Sequence, residues 1–214
     1  MFAAIEARAA GHHLDVLGGF SLGADEAGLP VGTRTLLLLG PRQPGFWPHV
    51  QGQPEWGEPD PVDRWSRRVI GRMACDLGGK ALFPFGGPPY QPFYQWALRS
   101  GSVWDSPVKL LIHARQGLYV SFRGALALRE GMALPAPAPK PCDSCVDRPC
   151  LTACPVQALT GQGYDVPRCH GYLDRPEGAA CMTGGCIVRA TCPVSRGHAR
   201  MAEQSAYHMR QFHR

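Results

Sequence analysis

The stretch "CDSCVDRPCLTACP", residues 142 to 155, sets four thiols within thirteen positions, and no other segment restricts the fold as tightly. Four more cysteines follow at 169, 181, 186 and 192, and both Cys154 and Cys192 are followed directly by proline. The 141 residues ahead of this region contain only Cys75. The opening "MFAAIEARAAGHHLDVLGGF" has neither the basic start nor the apolar stretch of a signal peptide. No apolar run reaches the roughly 20 residues of a membrane helix. A cytoplasmic setting without membrane association is therefore expected, where clustered thiols bind metal in preference to forming disulfides.

The spacing is Cys142-x2-Cys145-x4-Cys150-x3-Cys154-Pro155. A bacterial iron–sulfur run is C-x2-C-x2-C-x3-C-P, in which the fourth thiolate ligates the other of two clusters. Short loops can wrap a small inorganic cube, a distant segment supplies the last ligand, and proline turns the chain away. Eight cysteines make two sets of four. The first set is read as Cys142, Cys145, Cys150 and Cys192, the second as Cys154, Cys169, Cys181 and Cys186. Each set draws on both ends of the region, so metal binding and folding are coupled. Two [4Fe-4S] clusters are the expected cofactors, or one if Cys181 is a bystander. In "TGGC" (183–186) the paired glycines are expected to let backbone amides reach cluster sulfurs. Zinc is usually held by two separated C-x2-C pairs, and only one such pair is present. The cations Arg148, Arg168, Arg175, Arg189 and Arg196 lie near these cysteines and are expected to favour the reduced state.

A chain of 214 residues with 44% apolar content can build one domain or two small ones. The net charge of +5 is too mild to indicate a nucleic-acid-coating protein. "LPAPAPKP" (134–141) reads as a semi-rigid Pro/Ala linker. The predicted organisation is an α+β domain over 1–133, the linker over 134–141 and an iron–sulfur domain over 142–214. Within the first domain, residues 2–13 suit a helix and "TRTLLLLG" (33–40) a buried strand. Residues 60–79 predict a helix from Asp60-Pro61 to Gly-Gly, with Trp65, Val69, Met73 and Leu77 as its buried stripe. Cys75 on that helix is expected to be a small buried hydrophobe, and Arg64, Arg68 and Arg72 a solvated face or an anion site. "ALFPFGGPPYQPF" (81–93) is an irregular aromatic loop, leading to a helix near Tyr94–Arg99. Residues 108–128 read as two strands joined by a tight "ARQG" turn. A basic C-terminal helix carries His198, His208 and His213, expected at the surface.

Residues 142–193 resemble the two-cluster ferredoxin module of epoxyqueuosine reductase and of corrinoid-dependent reductive dehalogenases. "CHGYL" (169–173) is similar to that family's Cys-x-Ser-Tyr-Leu segment, and 185–193 to its closing run. The chain departs from the family in two extra residues before Cys150, a closing run one residue shorter, and Arg189 where the family has a cysteine. "LLIHARQGLYVSFRGALAL" (110–128) resembles a segment of the cobalamin-trafficking chaperone, whose fold is nitroreductase-like. The resemblance implies a corrinoid-binding-like sandwich followed by a ferredoxin-like domain. It also implies that His113, Arg123 and the loop carrying Tyr90 line a cobalamin or flavin pocket. Read without it, His113 is a satisfied core histidine, Arg123 a phosphate ligand or structural donor, and the loop a packed structural one. The tRNA-binding repeats of epoxyqueuosine reductase are missing, so nucleic acid is not the expected partner.

Three functions follow as expectations. The first is an electron carrier exchanging electrons with redox partner proteins. The second is an oxidoreductase whose clusters feed a corrinoid or flavin acting on a small molecule. In the third, the clusters only staple a scaffold. No nucleophile–base pair or phosphate-binding glycine fingerprint is evident, so no catalytic residue can be named.

Overall fold

The computed structural model describes all 214 residues. Its first elements are α1 (Phe2–Ala10), β1 (Leu14–Ser21), β2 (Thr35–Pro41), α2 (Phe46–Gln51), α3 (Pro61–Asp76), β3 (Lys80–Leu82) and α4 (Phe93–Arg99). Next come β4 (Val103–Asp105), β5 (Leu111–His113), β6 (Gly124–Leu128), β7 (Leu159–Thr160) and β8 (Gly163–Tyr164). The chain closes with α5 (Val166–Leu173), α6 (Ala179–Gly184), α7 (Ile187–Thr191), α8 (Pro193–Arg196) and α9 (Ala202–Phe212). The class is α+β with small antiparallel sheets. No helix is long and apolar enough to cross a membrane.

Two compact units emerge: Met1–Val103 with Ser121–Ala138, and Trp104–Val120 with Pro139–Arg214. In the first, a four-stranded sheet runs in the order β1-β2-β6-β3, every pairing antiparallel. The Leu36–Leu39 run occupies the second position, flanked by a strand on each edge, and is fully buried. A strand covered on both faces has no use for alternating polar residues, which explains the continuous apolar run. Helix α3 packs on β3 and β6. Gly124 of β6 lets it come close, since a Cβ there would lie 2.9 Å from Ile70 Cδ1.

Helix α3 begins as expected, with Pro61 in its first turn after Asp60, and Trp65, Val69, Ile70 and Met73 are buried. Leu77 stands just beyond its end and is only half-buried. Cys75 departs from expectation and is exposed. It lies two residues past Met73, which at 3.6 residues per turn places it roughly 200° around the helix, on the solvent side.

A larger departure concerns 104–120. The "ARQG" turn forms, with His113 and Gly117 exchanging backbone hydrogen bonds of 3.0 Å. The strand expected after it does not form there: regular structure resumes only at β6, which pairs with β2 and β3. Leu118 instead joins Val108, Ile112, Leu159 and Val188 in the core of the second unit, together with Cys150 and Cys192. The predicted first domain, 1–133, therefore loses a segment to the cysteine unit. The reason is compositional, because loops devoted to eight thiols supply few large apolar side chains, and Val108, Ile112 and Leu118 make up the shortfall.

Candidate metal centre

In the second unit the chain after Pro139 winds through two short 3-10 turns, Pro141–Asp143 and Pro149–Leu151, each opened by proline. These turns carry Cys142 and Cys150, with Cys145 between them, while Cys192 stands at the junction of α7 and α8. All four line one cavity of about 520 Å³, walled also by Ile112 and Leu118. Burial pushes the Cys142 thiol up; Lys140 opposes this, and Cys150, Cys192 and Cys145 add to it. Burial likewise raises Cys150, with Cys192 and Cys145 next.

The other four thiols stand on different elements. Cys169 lies in α5, Cys181 in α6 and Cys186 at the start of α7, while Cys154 precedes the turn at Pro155. Burial raises Cys181, followed by charge repulsion from Cys186, Cys169 and Cys154, with the Ile187 amide opposing by donating to its sulfur. Cys169 is raised by burial, opposed by a hydrogen bond from Tyr164, and raised further by Cys186 and Cys154. The Ala158 amide donates to Cys154 Sγ at 3.2 Å.

No group of three or more His, Cys, Asp or Glu side chains converges closely enough to hold one metal ion. A single zinc demands four sulfurs at about 2.3 Å from a common point. A polynuclear cluster takes each thiolate at a different iron, so its ligands surround a volume instead of meeting at a centre. Four thiols around a cavity of this size fit the second requirement, in a wall that mixes Ile112 and Leu118 with Asp147, Arg148 and Arg196.

Several sequence-predicted roles change. The Gly185 amide donates to the Cys181 carbonyl and not to sulfur. Gly185 itself has φ +93°, and a Cβ there would lie 2.6 Å from Ser205 Cβ, so this glycine serves the close approach of α9. The amide that does reach sulfur at hydrogen-bond distance belongs to Ala158, which no composition signal marks. The Arg189 guanidinium is hydrogen-bonded to the Leu118 carbonyl, tying α7 to the 104–120 segment. Arg148 and Arg196 line the first cavity. Arg168 and Arg175 line a shallower one of about 350 Å³ beside α5.

The proposed pocket residues are not one site within either unit. His113 belongs to the cysteine unit, is 2% exposed, and its Nδ1 accepts from the Arg115 and Gln116 amides at 3.2 and 3.1 Å. It caps the "ARQG" turn, the core role. Arg123 and Tyr90 belong to the first unit. The Arg123 guanidinium pairs with Asp63 at 3.0 Å and lies 5.6 Å over the Phe85 ring. Tyr90 is 67% exposed. In the aromatic loop Phe83 and Phe85 hold the Arg67 guanidinium at 5.3 and 5.2 Å.

The C-terminal histidines are not free at the surface. His198 is half-buried, and burial followed by Arg200 and Arg115 pushes its pKa down to about 4. His213 meets His170, the residue after Cys169, through facing Nδ1 atoms, and its Nε2 lies 3.0 Å from Asp174 Oδ1. Nothing in the sequence pattern pairs positions 43 residues apart. Comparison with protein-family models, curated proteins and solved structures finds no match.

Proposed function

We propose that this chain is an iron–sulfur electron-transfer protein carrying two [4Fe-4S] clusters. Cys142, Cys145, Cys150 and Cys192 would hold the first, and Cys154, Cys169, Cys181 and Cys186 the second. The observation that carries the reading is the gathering of the first four thiols around one cavity of about 520 Å³. Bound clusters of this kind supply one-electron oxidation and reduction with little rearrangement. The chain's own contribution is to present thiols and tune them. With their pKa values raised by burial, Cys142, Cys150, Cys169 and Cys181 hold their protons in the metal-free state and release them as iron enters. The Ala158 amide directs partial positive charge at the Cys154 sulfur.

A second reading is an oxidoreductase whose first unit binds a corrinoid or flavin and takes electrons from the clusters. It is favoured by the stacking of Arg67 of α3 on Phe83 and Phe85 of the Gly/Pro-rich loop, which also carries exposed Tyr90. A nitroreductase-like fold for that unit, a cytoplasmic location and redox proteins or a small molecule as partners belong with these proposals.

The test is anaerobic purification followed by iron and acid-labile sulfide analysis and EPR after dithionite reduction. About eight irons and eight sulfides per chain are expected. A folded, colourless, sulfide-free protein sinks both readings. Titration with cobalamin and with a flavin separates them, because a shifted corrin or flavin band selects the reductase and no shift selects the carrier.

A further inference from the structure

Helix α5, which carries Cys169, also forms one wall of a basic hollow that the cluster ligands do not use. The hollow, of about 350 Å³, is lined by Val156, Arg168, Gly171, Tyr172 and Arg175. Arg168, Gly171 and Arg175 are exposed, and Val156 and Tyr172 are half-buried. Arg168 and Tyr172 are one helical turn apart, and Arg175 follows just past the end of α5. The Tyr172 hydroxyl donates to the Glu177 carbonyl at 2.7 Å, which fixes the ring. Neither guanidinium has an ion-pair or hydrogen-bond partner in the chain. The carboxylates nearest in sequence do not line the hollow: Asp165 accepts from the Arg168 amide at 2.9 Å, Asp174 lies 3.0 Å from His213, and Glu177 stands outside. The second set is close by. Val156 is two residues past Cys154, and Arg168 directly precedes Cys169. Burial raises the Tyr172 hydroxyl, followed by Cys181, Glu177 and Cys154, so those two thiols lie within electrostatic reach of the hollow. The cavity of the first set differs, because Asp147 lines it beside Arg148 and Arg196 and mixes the signs.

We propose that the Arg168–Arg175 hollow is the docking surface for an acidic redox protein, which exchanges single electrons with the cluster held by Cys154, Cys169, Cys181 and Cys186. The inference rests on the proposed iron–sulfur function. One electron leaves the reduced centre and enters the oxidised one, with no bond formed or broken. Electron transfer slows steeply with distance, so the productive contact is a surface beside a cluster. Electron-transfer encounters bury small interfaces, below about 1,200 Å², and opposite charges bring the partners together and orient them. Two unpaired guanidiniums suit carboxylates, which they can hold bidentately. A lone small anion at so exposed a site would gain little over its hydration, whereas a protein face presents several carboxylates at once.

The experiment follows electron exchange by anaerobic stopped flow between the cluster-loaded protein and two probes, an acidic [2Fe-2S] ferredoxin and cationic methyl viologen. Each reaction starts from the partner of lower potential. The variants are Arg168→Glu/Arg175→Glu, Arg168→Gln/Arg175→Gln and Arg168→Lys/Arg175→Lys, with iron analysis on each. In the wild type the ferredoxin rate constant should fall as salt rises. The Glu pair is expected to keep its iron, to lose roughly tenfold in ferredoxin rate at low salt and to reverse the salt dependence. Its viologen rate should hold or rise. The Gln pair shifts the same way by less, and gives the reading should reversed charge disturb folding. The Lys pair, which keeps both charges, should retain most of the ferredoxin rate. A neutral or reversed pair as fast with ferredoxin as the wild type overturns the proposal, and so does a wild-type rate indifferent to salt. Equal slowing with both probes also overturns it, since the arginines would then act on the cluster itself. Phosphate replacing chloride at fixed ionic strength should change nothing; a selective block would make the hollow a small-anion site and overturn the docking role. Absence of iron from the wild type strikes the underlying reading instead, so the two failures are distinguishable.

Discussion

Gly117→Ala tests the assignment of the 104–120 segment to the cysteine unit. Gly117 sits at φ +58°, and a Cβ there would lie 2.5 Å from both Ser195 N and Oγ and 2.9 Å from Ser195 Cα. The left-handed conformation costs a residue with a side chain about 1–2 kcal/mol. Pushing Ser195 aside adds the overpacking penalty, about 1–3 kcal/mol. It also strains the 2.9 Å bond from the Leu118 amide to Ser195 Oγ, whose loss costs about 1 kcal/mol. A destabilisation near 4 kcal/mol follows, and with a urea slope of about 2 kcal/mol/M the midpoint falls by about 2 M. Ser195 is three residues from Cys192, so iron should leave in the same transition. The assay is anaerobic urea titration followed by cluster absorbance and far-UV circular dichroism. Gly23→Ala, with open space around its Cβ, is the control expected to behave as wild type. A Gly117→Ala midpoint within about 0.5 M of wild type would refute the packing of this turn on Ser195.

Two further expectations follow from the cysteines and from His198. Native anaerobic protein treated with iodoacetamide should be alkylated once, at exposed Cys75, while denaturation opens all nine thiols; mass spectrometry showing rapid native labelling of Cys169 or Cys186 would count against their engagement with a cluster. His198, with its folded pKa pushed down to about 4 from the ordinary 6.5, favours the neutral ring in the fold. Its contribution is present above pH 6.5 and is lost as pH falls toward 4, because over that range the unfolded chain binds the extra proton. An NMR titration of the His198 ring that returns a value of 6 or higher would contradict the burial ascribed to it.

What the sequence says of the candidate site is local. The four-in-thirteen spacing of Cys142 to Cys154 restricts short loops directly, and ligand number follows from cluster chemistry. Strand β2 and helix α3 were readable from their apolar periodicities, in each case a property of one element. Cys75 was misplaced although the same periodicity, followed two residues past Met73, puts it on the solvent side. The roles of Gly185, His113 and His213 were hidden by distance. Each depends on a partner, whether Ser205, the turn it caps or His170 with Asp174, and only the folded chain supplies it.

The amino-acid sequence alone decides how many thiols there are, their order, and the turns between them, since covalent spacing and proline geometry act within a few residues. Only the tertiary structure decides that Trp104–Val120 joins the core beside those thiols, with Ile112 and Leu118 lining the cavity of Cys142, Cys145, Cys150 and Cys192. Burial of nonpolar surface is non-directional, so the choice falls to whichever unit lacks enough apolar side chains to exclude water.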